Sequence, residues 1–185
     1  MFENIKIKPD IIIVDDHQIF RQGLKAIINF EGVGTIIGEA SNGEEFIEQL
    51  TSLKPDLVLM DIDMPQMDGF EATQKALEIM PELKIIAFTV FSEAEYYSKM
   101  INIGAKGFIL KSSGFNELEK AIEIVMKGEN YFTGSIPDIH KKDLEAEVID
   151  KATNKDIENS KTKGKMLFFP WIVNRKDSVN TQCPT

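Results

Sequence analysis

Short apolar runs alternate with amphipathic stretches along the first two-thirds of the chain. Ile11-Ile12-Ile13-Val14 is a continuous β-branched run, which suits a strand covered on both faces. From His17 to about Phe30 the apolar residues take helical spacing, with Phe20, Leu24, Ile27 and Ile28 on one stripe. Gly32 and Gly34 mark the turn out of it. Thr35-Ile36-Ile37-Gly38 predicts a second strand, and Asn42 caps a helix carrying Phe46, Ile47 and Leu50. Leu57-Val58-Leu59-Met60 is a third buried run. Pro65 to Met80 reads as helix after an irregular start, and Pro81 stops it. Ile85-Ile86-Ala87-Phe88 predicts a fourth strand, followed by a helix from Ser92 to Gly104 with Tyr97, Met100 and Ile101 inward. Gly107-Phe108-Ile109-Leu110 predicts a fifth. Phe115 to Lys127 spaces Leu118, Ile122 and Val125 for one helix face, closed by Gly128.

These are five strand–helix units in about 128 residues. Such alternation with short loops implies right-handed crossovers and a parallel sheet between two helix layers, a doubly wound α/β fold. In open sheets of this class, chemistry gathers at the carboxyl ends of the strands. The first strand ends in Asp15-Asp16, and the third in Asp61 with Asp63 two residues on. The fourth ends in Thr89 and the fifth in Lys111.

Composition narrows the function classes. Hydrophobic residues make up 43% and charged residues 28%, which is globular. The net charge of -9 argues against a chain-wide surface for nucleic acid or anionic membrane. The imbalance lies in residues 1–130, with 12 basic and 22 acidic side chains, whereas 131–185 hold 9 and 8. The single cysteine, Cys183, excludes an internal disulfide and fits a cytoplasmic location. No signal peptide is legible at the charged N-terminus. Residues 166–173 form the longest apolar run near the C-terminus, and Pro170 interrupts it, so it cannot span a bilayer.

Three carboxylates crowded at one sheet edge repel one another, and a divalent cation relieves that repulsion. Hard oxygen ligands that leave room for water and phosphate suit Mg2+. A carboxylate beside a metal and a lysine can attack a phosphoryl group, because the developing oxygen charges are neutralised. A threonine hydroxyl can then donate to one phosphoryl oxygen. Each signal alone has an ordinary reading. An Asp-Asp pair is commonly a solvated turn, a threonine after a strand a cap, a lysine after a strand a solvent-facing charge. Their joint placement on four strand ends is what carries the argument.

At this point the chain resembles the receiver domains of two-component response regulators, over about residues 9–128. The resemblance is carried by Ile13-Val14-Asp15-Asp16-His17, by the run from Leu57 through Asp61, Asp63, Met64, Pro65 and Asp68 to Gly69, by Thr89, and by Gly104-Ala105-Lys106-Gly107-Phe108-Ile109-Leu110-Lys111. It implies a flavodoxin-like sheet of order 2-1-3-4-5. It implies Asp61 as phosphoacceptor, with Mg2+ held by Asp15, Asp16, Asp61 and the backbone carbonyl of Asp63. Thr89 and Lys111 would stabilise the phosphoryl group, and Phe108 matches the aromatic switch position. Asp63, Val90 and Phe91 fall at positions that tune access to the site. Val90 stands where a small residue is usual and narrows the path for a phosphodonor. Phe91 offers no group to orient water, which predicts a long phosphoryl lifetime. Ser112 replaces the proline that often follows the lysine. Phe108 lacks a hydroxyl, so the switch would work by packing alone. His17 has no second histidine nearby and is a poor metal ligand on that ground, and His140 lies in a linker stretch.

The receiver is similar to the subfamily that precedes a LuxR-type helix-turn-helix, whose members are usually transcription regulators. That output domain needs about 60–65 residues, and 55 follow Asn130, some of them linker. Three readings of residues 131–185 stand open. One is a linker with a truncated or divergent, partly disordered output segment. Another is a divergent DNA-binding domain using the basic residues after Lys161. A third makes residues 166–173, with Phe168, Phe169 and Trp171, a docking segment. The leading function is a phosphorelay switch fed by a sensor histidine kinase, without enzymatic turnover of a separate substrate and with a homodimer formed on phosphorylation. A stand-alone receiver acting through protein contacts is the alternative. An aspartyl-phosphate phosphohydrolase is remote, because there the acidic pair comes later in the chain. A flavin domain is disfavoured, because acids at the first strand's end repel a flavin phosphate.

Overall fold

The short apolar runs become the strands of one sheet. The structure, a computed structural model, describes residues 8–132. In chain order the elements are β1 (Asp10–Val14), α1 (Gln18–Glu31), β2 (Thr35–Ala40), α2 (Gly43–Gln49), β3 (Leu57–Met60), α3 (Gly69–Ile79), β4 (Lys84–Thr89), α4 (Ala94–Ile103), β5 (Gly107–Leu110), a 3-10 turn (Lys111–Ser113), α5 (Phe115–Met126) and β6 (Tyr131–Phe132). The sheet order is β2-β1-β3-β4-β5-β6, with every pairing parallel.

Alternation along each strand builds two cores back to back. Ile11, Ile13, Leu57, Leu59, Ile86 and Phe88 pack with Leu24 and Ile28 of α1 and Leu118, Ile122 and Val125 of α5. Ile12, Val14, Val58, Met60 and Ile85 pack on the other face with Phe46 of α2 and Ala72 and Ala76 of α3. Burying an Ile or Leu side chain is worth about 1.5–3 kcal/mol. The four residues of β3 are all buried, so this short strand is pinned from both sides. α4 packs against α3 and β5.

Local chemistry sets the boundaries. Asn42 accepts from the Glu45 N–H and starts α2, as its side chain predicts. α3 begins later than the sequence suggests, at Gly69, because Asp68 caps it by accepting from the Glu71 N–H at 2.8 Å. α1 closes at Gly32 in the left-handed region, φ 68°. Ile27 does not join the core stripe. It lies on the outer side of α1, where Ile19 and Phe30 are also exposed. Leu24 and Ile28, four residues apart, define the buried face, and Ile27 is one position off it.

The sheet carries a strand that the sequence reading does not contain. Tyr131 and Phe132 pair in parallel with Gly107 and Phe108, and the Tyr131 N–H donates to the Lys106 carbonyl at 2.9 Å. Two residues are too few to show a period. The linker beyond Phe132, His140, the basic residues after Lys161, residues 166–173 and Cys183 lie outside the described residues. Among the described residues, no helix is long and apolar enough to cross a membrane.

Two tyrosines tie this edge to pH. Burial pushes the Tyr97 phenol up to about 12. Burial and the Glu117 carboxylate that accepts from its hydroxyl push Tyr131 up to about 12. Both groups stay neutral in the fold after their unfolded counterparts ionise near 10.0. Their contribution to stability is present below that pH and is lost as pH rises toward 12. Denaturant midpoints should therefore fall on the alkaline side between pH about 10 and about 12. Tyr97→Phe combined with Tyr131→Phe should flatten that fall; an equally steep decline in the double variant would disprove the assignment.

Candidate functional site

Strand register brings the first two acids together. Parallel pairing of β1 with β3 sets Val14 level with Met60. Asp15 and Asp61 are each the next residue, so they leave the sheet on neighbouring strands, which lie about 4.8 Å apart. The Asp61 N–H donates to the Val14 carbonyl at 2.8 Å, and the Asp15 N–H to the Ala40 carbonyl at 3.1 Å. Because β1 connects toward β2 and β3 toward β4, this pair sits where the strand order reverses.

Both carboxylates are nearly closed off from water, Asp15 at 2% and Asp61 at 4% exposure. Buried charges of one sign need a counter-charge. The pairing of Thr89 with Leu110 delivers it, since Lys111 follows one step on. Lys111 Nζ lies 2.5 Å from Asp15 Oδ2 and 2.6 Å from Asp61 Oδ2. The same ammonium stands 4.6 Å from the centroid of the Phe20 ring, which faces it from α1. The other oxygens are also met. Asp15 Oδ1 accepts from the His17 N–H at 2.9 Å, and Asp61 Oδ1 from the Ile62 N–H at 2.8 Å.

Asp16 and His17 complete the rim. Asp16 Oδ1 is 2.7 Å from His17 Nδ1. Asp15, Asp16, His17 and Asp61 each offer one ligand atom, and these atoms lie within 4.8 Å of one another. Three of the four donors are carboxylate oxygens, a set that fits a hard divalent cation. Sequence reasoning gives His17 no part in this cluster; its position directly after the acidic pair was the available signal. The Asp63 side chain is exposed and outside the cluster.

Thr89 is fully buried, and its Oγ1 accepts from the Phe91 N–H at 3.4 Å. A hydroxyl that accepts one bond still has its proton to donate. A space of about 420 Å3 opens beside Asp61 and Lys111, walled by His17, Ile19, Phe20, Asp63, Val90 and Phe91. Val90 stands at its rim and is mostly exposed. Phe108 is already inside, at 2% exposure, edge-on to Tyr97 at 5.4 Å. The Lys111–Ser112 peptide is trans, like every described peptide bond.

A family model for the response regulator receiver domain matches residues 11–123. The chain belongs to the response regulator receiver family. The receiver is 36% identical over 127 residues to response regulator GacA of Pseudomonas viridiflava, covering 68% of this chain and 59% of that protein. It is 38% identical over 122 residues to the oxygen regulatory protein NreC of Staphylococcus aureus strain JH9, covering 65% and 56%. The chain thus spans less than two-thirds of the length of these curated relatives. Its fold is similar to the crystal structure of a LuxR-family two-component response regulator from Aurantimonas sp. SI85-9A1. That match has a TM-score of 0.66 and 30% identity, over 76% of this chain and 99% of that one.

The lysine's place between two buried acids has a measurable consequence. Lys111→Ala leaves both carboxylates without their cation and should cost about 3–5 kcal/mol at neutral pH. Mg2+ should then raise the melting temperature of the variant more than that of the wild type, since a divalent cation replaces the missing charge. Thermal unfolding with and without Mg2+ tests this; equal shifts in the two proteins would count against the counter-charge role.

Proposed function

We propose that this receiver is the phosphoacceptor of a two-component phosphorelay, with Asp61 taking a phosphoryl group from a sensor histidine kinase. The observation that supports it most is the Lys111 ammonium shared by Asp15 and Asp61 at adjoining strand ends. In the transfer, an Asp61 oxygen forms a bond to phosphorus as the phosphorus–nitrogen bond of the donor phosphohistidine breaks, and the imidazole keeps that electron pair. Asp15, Asp16, Asp61 and the Asp63 carbonyl would hold Mg2+, which neutralises the charge growing on the phosphoryl oxygens. Lys111 moves from carboxylate to phosphoryl oxygen without leaving the pocket. Thr89 turns its hydroxyl proton to another phosphoryl oxygen, which draws on the loop that carries Phe91.

The output follows from repacking. Thr89 lies beside Leu110 on β5, and Phe108 on the same strand packs on Tyr97 of α4. A shift of Thr89 therefore reaches α4 through packed rings, with no hydroxyl on Phe108 taking part. Transcription control in the cytoplasm, with a homodimer formed on phosphorylation, is the output this reading favours, in line with the LuxR-family relative of known structure. DNA contact would fall to the basic residues after Lys161.

Two substitutions test the roles. Asp61→Ala should abolish labelling by acetyl phosphate in the presence of Mg2+, and full labelling of that variant would show that another aspartate accepts the group. Asp16→Ala keeps the phosphoacceptor but should weaken Mg2+ binding by about 10-fold or more. Mg2+ titration by calorimetry reads this directly, and unchanged affinity would remove Asp16 from the ligand set.

A further inference from the structure

Phe91 stands between two open spaces. One is the space of about 420 Å3 beside Asp61 and Lys111. The other, about 310 Å3, lies against Phe70, Glu95, Tyr96 and Lys99. Phe91 and Asp63 line both. Phe91 and Asp63 thus form the wall shared by the space beside Asp61 and a second, acid-lined space.

Phe91 belongs to the loop between β4 and α4, so neither ladder nor helix bonds fix it. Its ring is held by stacking. It lies 4.8 Å from Tyr96 at an interplanar angle of 17°. Tyr96 lies 5.8 Å from Phe70 at 21°, and Lys99 Nζ stands 3.8 Å from the Phe70 centroid. Loop, α4 and α3 together build one column of three rings ending in a cation. Such ring–ring and cation–ring contacts are directional, so they set an orientation as well as a distance.

We propose that Tyr96 is a positioning residue that sets the lifetime of the phosphoryl group on Asp61 by pinning Phe91 as an apolar wall. The inference rests on the phosphoacceptor reading. In hydrolysis a water oxygen bonds to phosphorus, the phosphorus–oxygen bond to Asp61 breaks, inorganic phosphate leaves, and the water's proton passes to a base or to solvent. An attacking water needs room and polar partners. The pinned ring supplies neither. With the ring released the two spaces join, and the Glu95 carboxylate, which lines only the outer space, becomes a partner for that water.

The test uses the full chain, labelled with acetyl phosphate and Mg2+, and follows decay of the label after the donor is removed. Tyr96→Ala should shorten the half-life about 2- to 10-fold, the range that one lost aromatic stack supplies. Its initial label should equal that of the wild type, because Tyr96 is half-buried and does not line the space beside Asp61 and Lys111. Tyr96→Phe should restore the wild-type half-life, since the stack needs no hydroxyl. Phe91→Ala should shorten the half-life as well, and the double variant should go no further than Phe91→Ala. Equal half-lives in Tyr96→Ala and wild type, or additive shortening in the double variant, would overturn the inference while leaving Asp61 in place. A wild-type chain that takes no label at Asp61 would overturn the phosphoacceptor reading and the inference with it.

Discussion

Two ionised carboxylates buried side by side need a cation between them, and β1 and β3 bury Asp15 and Asp61 side by side. The rest of the acidic edge is arranged around that constraint. The Lys111 ammonium meets both acids within 2.6 Å, so the pocket holds a positive charge before any metal or phosphate arrives. The loop after Asp61 must then fold back tightly. A Cβ on Gly69 would come within 2.0 Å of the Asp61 carbonyl oxygen, so only glycine fits. The Gly69 N–H donates to the Ile62 carbonyl at 2.9 Å and closes the loop. Gln66 takes a φ of 68° with the Met67 N–H bonded to the Pro65 carbonyl at 2.9 Å, a strained γ-turn for a residue with a side chain. Buried Met64 and Met67 on either side of it hold that turn in place.

The fold was legible because its signals are local. Continuous β-branched runs, helical spacing and caps such as Asn42 each act within a few residues, and the alternation of elements then restricts the topology. Where the reading departs from the structure, the deciding force is not local. Tyr131 and Phe132 form a strand only because the edge of β5 offers its backbone. Ile27 follows the helical pattern of its neighbours, yet the sheet meets α1 on the Leu24–Ile28 side. α3 starts at Gly69 because a side-chain cap and the Gln66 turn override the apolar spacing that begins earlier.

The site was legible in residue type and less so in arrangement. Strand ends announce Asp15, Asp61, Thr89 and Lys111, but only register shows that Val14 is level with Met60 and that the two acids are therefore adjacent. Phe20 reads from sequence as a core residue of α1, and its place under the Lys111 ammonium depends on how the helix is rotated. His17 is discounted by a count of histidines, whereas three carboxylates supply the neighbours that a second histidine was expected to provide. Tyr96 carries no motif at all. Its importance comes from a contact with a loop residue five positions back.

Adjacent tyrosines give α4 two different attachments. Tyr96 stacks outward on Phe91, whose N–H is bonded to Thr89. Tyr97 points inward, edge-on to Phe108 at 5.4 Å and to Phe132 at 5.5 Å. Consecutive helical residues point about 100° apart, so a single helix can hold the rim of the pocket with one ring and the β5–β6 edge with the next. Densely packed rings have few alternative arrangements, and a change at either attachment is felt as a discrete repacking and not a gradual strain. The loop that carries Phe91 begins after Thr89, the last residue of β4. On the proposed reading of Asp61, a charge placed there would reach α4 by two routes, through the loop that carries Phe91 and through β5. That double attachment ties α4 both to the loop at the pocket and to β5.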